Sequence, residues 1–148
     1  VIGIFESSLK QLVALAILMP IVASMGGNAG TQTLTVAVRA LALREITRAN
    51  ALRVIAKEFT VGVINGIIFA TIIGTIASYW FGIPLLGIII GAAMIINLVV
   101  ACLSGIIIPL LLDKTGIDPA IASTVVLTTI TDIFGFFVFL GLGSIYLL

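Results

Sequence analysis

The stretch PLLGIIIGAAMIINLVVACLSGIIIPLLL, from Pro84 to Leu112, carries no charged side chain. A helix of roughly 20 residues crosses the ~30 Å hydrocarbon core of a bilayer, and this run is longer. It lacks the polar–apolar alternation of a barrel strand, and the chain has too few segments to close a barrel. A membrane-spanning helix is the state that pairs all of its backbone groups. Asn97 within it, and Asn65 in the segment before it, are expected to make interhelical hydrogen bonds. Cys102, the one cysteine, reads as a small buried hydrophobe.

Three more apolar segments flank this one, at 9–38, 59–81 and 119–148, the first interrupted by Met25–Gly30. Hydrophobic residues make up 61% of the chain and charged residues 9%, against about 25% charged in a soluble domain. The expected fold is all-α, a polytopic membrane helix bundle forming one transmembrane domain over 1–148. Residues 1–8 read as the end of a preceding span, which makes the number of spans in the whole protein odd and at least five. The connection 39–58 holds Arg39, Arg44, Arg48, Arg53 and Lys57, five of the seven basic residues, and their spacings of four and five read as helical. An excess of Lys and Arg marks the cytoplasmic side, so 39–57 is expected in the cytoplasm and the C-terminus outside. Gly116 suits a helix cap, and Asp118-Pro119 suits a helix start.

A net charge of +1 argues against nucleic acid as a partner. The absence of histidine removes His-ligated metal sites and His-based catalysis. No phosphate-cradling glycine loop is present, and an enzyme is not expected.

Asp132 is the most informative position. Counted from Pro119 it stands roughly 20 Å into its helix, where a charge is expensive unless it faces a partner or a water-filled path. Thr124, Thr128, Thr131, Asp132 and Gly135 share a helical face of about 100°. That face offers hydroxyl, carbonyl and carboxylate oxygens, which suit hard cations, although threonines in such helices also bond back to their own backbone. Met25–Thr33 has two readings. A discontinuous helix there exposes carbonyls to a cation; alternatively Gly26 and Gly30 form a close-packing pair. Gly62 with Gly66, and Gly87 with Gly91, read as packing seams. Glu58 and Asp118 read as acids complementing helix N-termini.

The pieces Pro20–Gln32, Arg39–Ala42, Lys57-Glu58, Asp118–Ala120 and Thr131-Asp132, in this order and spacing across nearly the whole chain, resemble the MgtE magnesium transporter family. The resemblance implies a homodimeric, Mg²⁺-selective channel with five spans per subunit, in which paired Asp132 carboxylates hold a hydrated ion. Expected metal contacts are Asp132, Thr128, Asn28 and Gly27, with Thr31, Thr35, Thr124, Thr131 and Gly135 lining the pore. Glu58 and Asp118 match acids near the family's cytoplasmic sensing sites. Cytoplasmic sensor domains, common in the family, are expected partners beyond this chain, together with membrane lipid. Some members carry Asn where Thr31 and Thr124 stand; a hydroxyl still contacts a hydrated ion there. An ion-coupled secondary transporter of divalent cations is the alternative, and a non-transporting membrane anchor leaves the costly Asp132 unexplained.

Overall fold

A computed structural model describes residues 1–148 apart from the side chain at position 122. A 3-10 turn at Ile2–Phe5 leads into a short helix, α1 (Glu6–Gln11). Four long helices follow: α2 (Val13–Ala42), α3 (Ala51–Phe81), α4 (Pro84–Lys114) and α5 (Pro119–Tyr146). Each contains a stretch long and apolar enough to cross a bilayer, which in α5 begins at Ser123. At 1.5 Å per residue, the 31 residues of α3 and of α4 reach about 46 Å, well beyond the ~30 Å core. The chain is therefore a multi-pass membrane protein.

Turn chemistry sets the helix ends. Gly82 takes the left-handed conformation (φ 66°) just past α3, and Pro84 opens α4 with its fixed φ. At the end of α4, Ile117 N–H donates to the Leu112 carbonyl and Gly116 N–H to the Asp113 carbonyl. This double closure uses Gly116 at φ 76°. Asp118 then caps α5, its Oδ1 accepting from Ala120 N–H at 2.9 Å.

Two expectations change. The basic connection is shorter than 39–58: α2 runs on to Ala42 and α3 begins at Ala51. Arg39, Arg53 and Lys57 thus sit on helical ends, where long basic side chains carry their charges out to water while their stems stay along the helix. Glu58 is consequently two turns inside α3 rather than at its N-terminus. Also, α2 is unbroken through Met25–Thr33. A continuous helix keeps these backbone groups paired in lipid, and Gly26 and Gly30 are buried against Asn97 and Leu127. The close-packing reading holds there, and the discontinuous helix does not.

Helix α4 is the centre of the bundle, packing against α2, α3 and α5. Leu86, Ile90, Ala93, Met94 and Leu98 on it are at most 1% exposed. Helix α3 rests almost wholly on α4, through a seam where Gly62 and Gly66 meet Val99 and Ile95, and Gly74 meets Gly87. Without a hydrophobic driving force between helices in lipid, such close contact is what holds α3 in place. A Cβ on Gly66 would stand 2.9 Å from the Ile95 Cα, and backbone cannot step aside cheaply. Gly66→Ala is expected to cost about 1–3 kcal/mol. Gly27→Ala, where a Cβ meets nothing within 4 Å, should be neutral or slightly stabilising through helix propensity. Thermal unfolding in detergent checks the pair, and equal midpoints would show that the seam carries little energy.

Candidate functional site

Helices α2 and α5 lie antiparallel. Leu15 of α2 is against Gly143 of α5, and Leu127 of α5 is against Gly30 of α2. Interpolating this register brings Asp132 level with Met25 and Gly26, within a turn of Gly27 and Asn28, with Thr128 level with Ala29 and Thr124 level with Thr33. Thr31, Thr35 and Thr124 line one cavity of about 330 Å³, which Arg39 also borders.

These two helices present polar groups outward, as α3 does with Thr71 and Thr75. On α2, Ser24, Asn28, Thr31, Gln32 and Thr35 are exposed; on α5, Thr124 and Thr128 are exposed and Asp132 is partly so. Ser24 and Gln32 were not among the expected site residues. Their signal was the spacing of four on either side of Asn28, which places all three along one helical stripe. The threonine hydroxyls do bond back: Thr31 Oγ1 donates to the Gly27 carbonyl at 2.8 Å, Thr35 to Thr31 at 2.8 Å and Thr128 to Thr124 at 2.9 Å. A hydroxyl has one proton and two lone pairs. With the proton committed to the backbone, each oxygen is left facing outward as an acceptor, the polarity a hydrated cation needs.

Thr131 and Gly135 do not join this open face. Thr131 is 0% exposed and donates to the Thr128 carbonyl at 3.0 Å. Gly135 is buried against the Asn97 side chain. Helical periodicity placed them beside Thr124 and Thr128, but α4 crosses α5 at that height and covers the face. Asp132 therefore stands where the open polar face ends.

Asn97 fills the junction. Only 1% exposed, it donates from Nδ2 to the Val22 carbonyl of α2 at 2.9 Å, as an interhelical bond was expected to do. Its Oδ1 is buried without a hydrogen-bond partner. The side chain is wedged between Gly26 of α2 and Gly135 of α5, tying α4 to both polar helices. No hydrogen bond from the Asn65 side chain is found among the described residues.

The two other acids have local roles. Glu58 Oε2 accepts from Thr33 Oγ1 at 3.1 Å, joining α3 to α2, and Asp118 caps α5. Cys102 is buried on α4. Among the described residues no three His, Cys, Asp or Glu side chains gather into a metal-holding group. A single copy of the chain thus offers a cation one carboxylate and a stripe of neutral oxygens.

The family model described as MgtE, divalent cation transporter, matches residues 19–142. The chain is 37% identical over 147 residues to the magnesium transporter MgtE of Bacillus subtilis, covering 99% of this chain and 33% of that protein. It is 35% identical over 143 residues to the protein of that name from Enterococcus faecalis, covering 97% and 32%. For the one from Thermus thermophilus the identity is 35% over 144 residues, covering 97% and 32%. The chain spans about a third of the length of each of these relatives.

Proposed function

The chain belongs to the MgtE family of divalent cation transporters, not to an enzyme family, and from that premise we propose that it conducts Mg²⁺ across the membrane through a pore between two copies. The observation that carries this reading is the polar stripe of α2 and α5. Exposed Asn28, Thr31, Thr35, Thr124 and Thr128 are poorly suited to lipid, whereas a two-fold partner and water would cover them at once.

Pairing across a two-fold axis brings two Asp132 carboxylates to one point and matches the charge of the ion. Mg²⁺ sheds its water reluctantly, so the ion keeps a hydration shell that Asp132, Gly27 and Asn28 within a turn of its level, and the outward hydroxyl oxygens hold through water. Thr124, Thr35 and Arg39 then border the approach from the basic end, which the excess of Lys and Arg assigns to the cytoplasm.

An unbroken α2 favours a passive channel over an ion-coupled transporter, the class in which discontinuous helices build the site. A channel is driven by potential alone, and two charges gain about 4.6 kcal/mol per 100 mV. Purified protein in liposomes carrying an Mg²⁺-sensitive dye should admit Mg²⁺ in proportion to an imposed inside-negative potential, with pH equal on both sides. Flux that appears only with a proton or Na⁺ gradient would transfer the assignment to coupled transport.

A further inference from the structure

Away from the α2–α5 face, a cavity of about 790 Å³ opens between the α2–α3 connection, the first turns of α3 and the last turns of α4. Its walls are apolar, with Leu52, Ile107 and Leu111 among them, and its rim carries Arg48, Lys114 and Asp113. Leu52 is 80% exposed and Leu111 56%, so the groove is open to the surroundings of the bundle. An open apolar wall at the end of a membrane helix faces acyl chains.

The rim has an excess of positive charge. The ion pair found among the described residues is Lys10–Glu6, near the N-terminus of the chain, so neither Arg48 nor Lys114 has a carboxylate oxygen within 4.0 Å, Asp113 included. Arg48 is also held in a defined turn. Thr47 N–H donates to Asn50 Oδ1 at 2.7 Å, and Asn50 Nδ2 donates to the Glu45 carbonyl at 2.8 Å. Lys114 is the last residue of α4, so both cations stand at the basic end of the bundle, at headgroup height.

We propose that this groove binds an anionic phospholipid, with one acyl chain along Leu52, Ile107 and Leu111 and the headgroup phosphate between Arg48 and Lys114. Apolar walls with a cationic mouth match that amphiphile and no small polar solute. Basic side chains at this height are each worth roughly a fivefold gain toward anionic lipid, so the two together give roughly 30-fold. The proposal is independent of the ion path.

Native mass spectrometry of the full chain in detergent, with phosphatidylglycerol or phosphatidylcholine of equal chain length added, tests it. Phosphatidylglycerol should be retained preferentially, and Arg48→Ala with Lys114→Ala should abolish the preference. The charge-preserving Arg48→Lys with Lys114→Arg should keep most of it. So should Arg53→Ala with Lys57→Ala, which lie outside the cavity lining. Equal retention of both lipids, or undiminished preference in the double alanine variant, would overturn the proposal. So would displacement of the lipid by millimolar inorganic phosphate, which would mark a free-anion site instead.

Discussion

Asp132→Asn is expected to lower Mg²⁺ influx into proteoliposomes about a hundredfold while leaving the protein folded and inserted. Asparagine keeps the size and one acceptor oxygen of aspartate, so packing at the end of the open face is preserved and only the charge is lost. Nothing in the described structure neutralises Asp132. The basic residue nearest along α2 is Arg39, about 20 Å from the level of Gly26 at 1.5 Å per residue. In an effective dielectric of 20, two unit charges 4 Å apart interact by about 4 kcal/mol. A water-separated contact is longer and weaker, and a loss of roughly 2–3 kcal/mol at the ion corresponds to roughly 30- to 160-fold. In the proposed two-fold pore both copies lose their charges together, which moves the expectation toward a hundredfold. Thr129→Val is the control: Thr129 is exposed, but its hydroxyl bonds to the Val125 carbonyl and it lies outside the stripe of Thr124, Thr128 and Asp132. Its flux should match wild type. If Asp132→Asn conducts like wild type, the acid is structural and the ion path must run along Gly26–Gln32 without it.

The four spans were legible because lipid makes a simple demand on sequence: about 20 apolar residues with their backbone paired internally. Pro84–Leu112 meets it with no charge at all. Their ends were less legible: the arginine spacing reads as helical from Arg39 to Lys57, yet residues 43–50 turn between α2 and α3. The glycine-rich Met25–Thr33 segment was ambiguous for a different reason. Glycine weakens a helix in isolation and strengthens one that must approach a neighbour, and only the neighbour, Asn97 or Leu127, decides which applies. The same gap explains Thr131 and Gly135. Periodicity assigns a residue to a face of its own helix, but the crossing of α4 determines where that face is covered. The Thr33–Glu58 bond joins residues far apart in sequence, and no local pattern announces it. The pairing of two subunits came from family resemblance rather than from any residue pattern, and the outward stripe on α2 and α5 is the physical feature that supports it.

Asn97, Gly26 and Gly135 should behave as one unit when mutated. A Cβ on Gly135 would stand 2.8 Å from Asn97 Nδ2, and a Cβ on Gly26 would meet the same amide, with Cγ at 2.9 Å. Gly26→Ala and Gly135→Ala are each expected to destabilise by about 1–3 kcal/mol, because the amide is fixed by its bond to Val22 and has no free space to enter. Asn97→Ala alone forfeits that bond, worth about 0.6 kcal/mol on average between membrane helices, and opens a small cavity. It also removes the buried Oδ1 that lacks a partner, which offsets part of the loss. Combining Asn97→Ala with Gly26→Ala puts the new methyl into the vacated space. The double variant should therefore be more stable than Gly26→Ala alone, with a coupling of about 1–3 kcal/mol, measured by thermal unfolding in detergent. Additive losses would mean that the glycines matter for helix geometry and not for the wedge. Flux separates a further consequence. Gly135 is one turn from Asp132, so an alanine there that displaces α5 from Asn97 should reduce Mg²⁺ influx, and Asn97→Ala should restore it. Restored stability without restored flux would show that Asn97 itself, and not merely the spacing it enforces, positions Asp132 at the end of the open face.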